Sequence, residues 1–306
     1  MQTNHFAIST DSRYWPGATA LVHSIVRHTS GPVCIHVTAR EVPDAGQWAR
    51  RWTRGRVICR VYDVSGEMAE ADWANWPGMH QSKASLDRLL LARLLPDVER
   101  VLYIDADCVA LRPLDGVFSL GCGRRGIAAR ADGGVWGGIA HQMKELGVAE
   151  ATAERIAAND PAILRWQAFN SGVLLMDLAK MRSLGFEPWC ASLWERYGRA
   201  LSDQVVLNLF AAGDYARLPL AFNRPAGDEA ADTVIYHYVG ERKPWAGATV
   251  NGAVWHDYAI SPEDLERVIS RVAPAGSLRF KNAKEVRSSR QPCPQMAVVT
   301  CRLSLD

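Results

Sequence analysis

Short apolar runs alternate with amphipathic stretches through the first third of the chain, and that rhythm restricts the fold more than any other feature. "HFAIST" reads as a strand ending in a polar turn. Helical spacing of Leu21, Val22, Ile25 and Val26 predicts a helix in "PGATALVHSIVRHTSG", with Ser30-Gly31 as its stop. "PVCIHVTA" is the next strand, followed by a Trp- and Arg-rich helix near Trp48 and the strand "RVICRVYDV". "KASLDRLLLARLLP" places Leu86, Leu89, Leu90 and Leu94 on one helical face and is closed by Pro96. Strands alternating with helices at this spacing predict an α/β fold with a mostly parallel sheet flanked by helices. Such sheets bind ligands beyond the carboxyl ends of their strands.

One strand end stands out. "RVLYIDADCVAL" runs an apolar stretch into Asp105 and Asp107. Alternation in an extended chain puts both carboxylates on the same side, close enough to share one cation.

The total composition excludes several function classes. At 306 residues and 48% hydrophobic, the chain can bury a sizeable core. The net charge of +2 makes no demand for nucleic acid or an acidic polymer. The 7 cysteines are odd in number and none sits in a C-x-x-C pair, which argues against a zinc site or a disulfide framework and for a reducing cytosol. "MQTNHFAIST" lacks a basic region followed by an apolar core, so no secretory signal is read there. No apolar run reaches the about 20 residues that span a bilayer.

Beyond residue 120 the pattern loosens. "ADGGVWGGIAHQ", with Gly pairs around Trp136, reads as a loop. "FNSGVLLMDL" and "TVIYHYVG" are strands, and "SDQVVLNLFAAG" is a helix capped by Ser202 or Asp203. "SPEDLERVISRV" opens a helix with Ser at the cap, Pro at the first position and Asp264 three residues after the cap. The expected organisation is a domain over residues 1–272 and a basic C-terminal tail over 273–306, where Arg279, Lys281, Lys284, Arg287 and Arg290 face only Glu285.

Polar residues recur at the strand ends: Thr10-Asp11, Asp105 and Asp107, Asn170, Asp203-Gln204, and His237 with Lys243. Together they suit one task. A nucleotide diphosphate leaving group carries dense negative charge that a divalent metal and a lysine can neutralise as the bond breaks. Two carboxylates and one imidazole make a hard, open site suited to Mn²⁺ or Mg²⁺ rather than tetrahedral zinc.

The order "YIDADCV … FNSGVLLMDL … SDQVVLN … HYVGERKPW" resembles glycosyltransferase family 8, a retaining GT-A family using nucleotide-activated sugars, from about Phe6 to Trp245. The resemblance implies a GT-A, Rossmann-like fold. It implies that Asp105, Asp107 and His237 hold the metal, and that Thr10, Asp11 and Tyr14 in "STDSRY" hold the base and ribose. Arg88 would reach the nucleotide-sugar; Asn170, Asp203 and Gln204 would hydrogen-bond the donor sugar; Gly240 and Lys243 would touch the diphosphate. Asp203, Gln204 and Lys243 are the catalytic candidates. Two positions depart from the pattern: Leu86 and Asp87 stand where the family shows Tyr and a small residue before the arginine, and Ser171 replaces the Ala of FNAG.

The implied activity is metal-dependent transfer of a hexose from UDP-glucose or UDP-galactose to a glycan, glycolipid or lipopolysaccharide-type acceptor. The basic tail is expected either to be disordered and solvated or to make a peripheral contact with the inner face of the membrane. A haloacid-dehalogenase-type phosphatase shares the aspartate pair but places it near the start of its domain. A degenerate nucleotide-sugar or glycan binder of the same fold has no need of the acid pair, His237 and Lys243.

Overall fold

Ten strands lie among the residues described by the structure, a computed structural model that covers 2–65, 82–133, 137–198, 201–228 and 230–272. They are β1 (Asn4–Asp11), β2 (Val33–Arg40), β3 (Val57–Asp63), β4 (Arg100–Ile104), β5 (Cys108–Ala110), β6 (Ile127–Ala131), β7 (Phe169–Asp177), β8 (Ala216–Arg217), β9 (Arg224–Pro225) and β10 (Ile235–His237). The main sheet has seven strands in the order β3-β2-β1-β4-β7-β6-β8. Strands β3, β2, β1 and β4 pair in parallel, as do β6 and β8; β7 alone runs against its neighbours. The expected α/β architecture with a mostly parallel sheet is the observed one. A second sheet of three strands, β5-β10-β9, was not legible as a separate layer.

Both faces of the main sheet are covered. Phe6, Ile8, Ile35 and Val37 pack with Leu21, Val22 and Ile25 of the helix Trp15–Arg27 on one side. Ala7, Tyr103, Leu174 and Met176 pack with Leu86, Leu89 and the helix Asp203–Ala211 on the other. Every residue of β2 is buried, the signature of an inner strand in a two-faced sheet.

One expected element differs. The segment read as a continuous α-helix is a 3-10 turn over Lys83–Leu90 followed by a single α-turn, Leu91–Leu94. The Arg88 side chain explains the tighter winding: its Nε donates to the Ser85 carbonyl at 2.8 Å, the carbonyl an α-helix would offer to Leu89. The buried leucines between Lys83 and Leu94 are therefore Leu86, Leu89 and Leu91, with Leu90 and Leu94 only partly covered.

The loop expected at "ADGGVWGGIAHQ" ends early, because a helix begins at Ile139. Trp136 and the basic segment from Ala273 lie outside the described residues. No described helix is long and apolar enough to cross a membrane, and the five described cysteines are unpaired.

A polar chain is buried within the first three strands. His5 Nδ1 and His36 Nε2 are 3.0 Å apart, and His36 Nδ1 lies 3.0 Å from Tyr62 Oη. Burial, with His5 and Arg60 adding to it, lowers His36 from the ordinary 6.5 to about 3. The unfolded chain then binds a proton on His36 between those values and the folded chain does not. His36 therefore gives stability above about pH 6.5 that is lost progressively as pH falls toward 3. From pH 7 to pH 5 this single group should remove about 2 kcal/mol in urea denaturation. His36→Gln should flatten that limb; an unchanged slope would contradict the assignment.

Candidate functional site

The acid pair does not sit in an extended strand. β4 ends at Ile104, β5 begins at Cys108, and residues 105–107 form a turn closed by Cys108 N donating to Asp105 O at 3.0 Å. The turn, not strand alternation, brings both carboxylates to one cavity. Helix Trp15–Arg27 approaches this turn through Gly17, where a Cβ would collide with the Ala106 carbonyl oxygen and lie 2.6 Å from the Trp245 ring.

Asp105 is bound from the sheet side. Its Oδ1 accepts from Tyr103 Oη at 2.6 Å and Arg88 Nη2 at 2.7 Å. Its Oδ2 faces His237 Nε2 at 3.9 Å. Asp107 is bound from the opposite side: Oδ2 accepts from Lys243 Nζ at 2.5 Å, and Oδ1 lies 3.3 Å from His237 Nε2. Lys243 also donates to the Tyr238 carbonyl at 2.9 Å.

The small sheet delivers the histidine. β10 pairs antiparallel with β5 so that His237 stands opposite Cys108, and Tyr238 N donates to Asp107 O at 2.9 Å. His237 Nδ1 lies 2.9 Å from Asn223 Oδ1, and Asn223 Nδ2 donates to Asn170 Oδ1 at 2.9 Å. An amide oxygen only accepts, so Nδ1 keeps its proton and Nε2 is the nitrogen left to bind a cation among the carboxylates. That is the tautomer a metal needs, held by an outer hydrogen bond. Asp105 Oδ2, Asp107 Oδ1 and His237 Nε2 thus form a donor set that fits a hard divalent cation. Asp107, Cys108 and His237 also cluster at ligand spacing, but burial pushes the Cys108 thiol well above its usual range and keeps it protonated.

The two carboxyls are held apart electrostatically. Burial raises Asp105 despite the pull of Arg88. For Asp107, burial acts upward, but His237 and Lys243 outweigh it and hold the carboxyl well below the usual range. For Arg88, burial acts downward, while Asp105 and Asp203 overcome it and lock the guanidinium in its charged form.

Arg88 links this turn to the third element of the site. Its Nε lies 3.1 Å from Asp203 Oδ2, and its Nη1 donates to the Ser171 carbonyl at 2.6 Å. Asp203 Oδ2 also accepts from Ser171 Oγ at 3.1 Å, and Ser171 N donates to Gln204 Oε1 at 2.9 Å. Ser202 is the helix cap, its Oγ accepting from Val205 N, which leaves Asp203 in the first turn with its carboxylate turned to the site.

The resulting cavity is about 710 Å³ and gathers Tyr14, Arg88, Asp105, Asp107, Asn170, Asp203, Gln204, His237, Gly240 and Lys243. Thr10 and Asp11 do not line it; Ser9 does. Thr10 is fully buried and Asp11 Oδ1 accepts from the backbone N–H of Arg13 and Tyr14. Sequence reasoning missed Tyr103, Asn223, and the cavity wall from Arg130, Asp132, Leu146 and Val239. Asn223 has no motif around it. Tyr103 had a readable signal, since it lies two residues before Asp105 in an alternating strand.

The sequence model described as Glycosyl transferase family 8 matches residues 5–249. A Haemophilus influenzae protein classed by its name among the glycosyltransferases is 22% identical over 259 residues, covering 80% of this chain and 73% of its own length. Among solved structures, galactosyltransferase LgtC in complex with donor and acceptor sugar analogs superposes with a TM-score of 0.60 at 19% identity, covering 87% of this chain and 96% of that one. The glycosyltransferase GlyE of Streptococcus pneumoniae gives a TM-score of 0.61 at 17% identity; the match covers 87% of this chain and 63% of GlyE. At these identities the superpositions speak for the fold.

Gly172 provides a direct check of the geometry. A Cβ there would press into the His237 ring, 2.6 Å from Nδ1. Gly172→Ala should cost about 1–3 kcal/mol of stability and shift the His237 imidazole resonances in NMR. Unaltered His237 resonances would contradict this packing.

Proposed function

The chain belongs to glycosyl transferase family 8, and from that premise we propose that it moves a hexose, glucose or galactose, from a UDP-sugar to a carbohydrate or lipid-linked carbohydrate acceptor, with Mn²⁺ or Mg²⁺ at the acid turn. The observation that carries this is the convergence of Asp105 Oδ2, Asp107 Oδ1 and His237 Nε2 beside Lys243 in one cavity. The galactosyl transfer in the name of LgtC supports a hexose donor.

Asp105, Asp107 and His237 would hold the cation, which supplies positive charge where the diphosphate oxygen departs. Lys243 Nζ, already at the cavity beside Gly240, donates to the same phosphates. Tyr14 stacks edge-on against Trp245, with ring centroids 5.4 Å apart, and offers an aromatic wall for the base. Asn170, Asp203 and Gln204 take the sugar hydroxyls.

Asp203 is a poor nucleophile here. Its Oδ2 is engaged by Arg88 and by Ser171 Oγ, and it lies in the first turn of a helix. Joined to the retention that the family resemblance implies, this favours a reaction without a long-lived covalent intermediate: the acceptor attacks from the leaving-group face and the UDP phosphate assists its deprotonation. The basic segment from Ala273 onward is proposed, on charge alone, to touch an anionic membrane surface from the cytoplasmic side.

A panel of nucleotide-sugars scored for UDP release should show turnover with a UDP-hexose that stops in excess EDTA. Asp107→Ala should lower it at least about a hundredfold, roughly 3 kcal/mol of transition-state stabilisation. Full turnover in EDTA would overturn the metal site. UDP binding without release from any donor would make the chain a nucleotide-sugar-binding protein instead.

Asp203→Asn should lose most activity while still binding UDP, because the contacts proposed for it are to the sugar and not to the nucleotide. NMR of the first-formed product should show an α linkage from an α donor. A glycosyl adduct on Asp203 in mass spectrometry would overturn the direct mechanism.

A further inference from the structure

A buried ion pair lies behind the cavity without lining it. Asp87 is fully buried and accepts from Arg40 Nε at 2.9 and 3.0 Å and from Nη2 at 2.6 Å. Arg40 is the last residue of β2 and only 7% exposed. The next residue after Asp87 is Arg88, so one 3-10 turn presents a carboxylate to β2 and a guanidinium to the acid turn. Neither Asp87 nor Arg40 reaches the cavity.

We propose that Arg40 is a positioning residue: by neutralising Asp87 it keeps the turn Lys83–Leu90 seated so that Arg88 stays between Asp105 and Asp203. The inference rests on reading the cavity as the donor site. A carboxylate stripped of water is strongly unfavourable unless paired, and loss of one partner of a buried pair leaves the other charge uncompensated. Burial already pushes the Asp87 carboxyl up to about 6 against the pull of Arg40, so its charge depends on that guanidinium. Without Arg40 both Asp87 oxygens lose their Nε and Nη2 donors, the turn shifts to give them water, and Arg88 moves with it. Arg88 touches Asp105, Ser171 and Asp203 at once, so that movement loosens the acid turn and the sugar contacts together. The acid before Arg88 and the arginine at the end of β2 are in this view one device.

Calorimetry of UDP with Mn²⁺ and crystal structures of Arg40→Met, Asp87→Asn and the double variant test it. Arg40→Met should weaken UDP binding about tenfold or more, and adding Asp87→Asn should restore it to within about threefold of the starting protein. The melting temperature of the double variant should stay below that of the starting protein, so the restored affinity separates positioning from bulk stability. Asp87→Asn alone should bind UDP within the same margin, because the charge it leaves uncompensated, Arg40, is at the end of β2 and not on the turn that carries Arg88. Normal UDP affinity in Arg40→Met, or a folded double variant that still binds weakly, overturns the proposal. Should Arg40→Met fail to fold, the double variant decides. Absence of UDP binding in the starting protein would overturn the donor-site reading instead. Arg88 displaced from Asp105 and Asp203 in the crystal structure of Arg40→Met or, if that variant does not fold, restored between them in the double variant supports the inference independently. Its unchanged place in a folded Arg40→Met overturns it.

Discussion

Arg88 is the interaction on which the site depends. Its side chain is 3% exposed and pairs with carboxylates from two distant parts of the chain, Asp105 on the acid turn and Asp203 at a helix start. A buried guanidinium is tolerated only when its donors are satisfied. Ser85, Ser171, Asp105 and Asp203 satisfy them, and the Arg88 guanidinium also lies 4.5 Å over the Tyr103 ring. The 3-10 turn, the end of β4, the start of β7 and the helix Asp203–Ala211 are thereby fixed in one geometry.

Around that cation the charges alternate. Asp87 is matched by Arg40, Asp105 and Asp203 by Arg88, and Asp107 by Lys243. The arrangement leaves one oxygen of Asp105 and one of Asp107 turned toward Nε2 of His237, where two carboxylates favour added positive charge. The same pairing would suit the cation and the anionic leaving group of the proposed transfer. The dependence of Arg88 on so many acceptors means that a small shift of its turn is felt throughout the cavity.

The first half of the fold was legible because its signals are local. Short apolar runs and a 3.6-period helix pointed to β1, β2, β3 and the helix Trp15–Arg27 in the order observed. Local signals failed where side chains overrode propensity. Leucine spacing implied an α-helix through Lys83–Leu94, but Arg88 took the Ser85 carbonyl. The aspartate pair was recognisable, yet its geometry comes from a turn closed against β5, a strand too short to announce itself. Tyr14 and Ser9 line the cavity, while Thr10 is fully buried and does not. Asn223 orients His237 across a separation in sequence that no periodicity records. Asp87 looked like an intrusion beside the donor pocket; only the tertiary structure brings Arg40 to it.

The central claim is that Asp105, Asp107 and His237 form one hard-cation site with a single imidazole ligand. Pulsed EPR of the protein loaded with Mn²⁺ and UDP reads that nitrogen directly. The expected spectrum shows coupling to one imidazole nitrogen that disappears in His237→Gln. A nitrogen coupling absent from the starting protein, or unchanged in His237→Gln, would contradict the site.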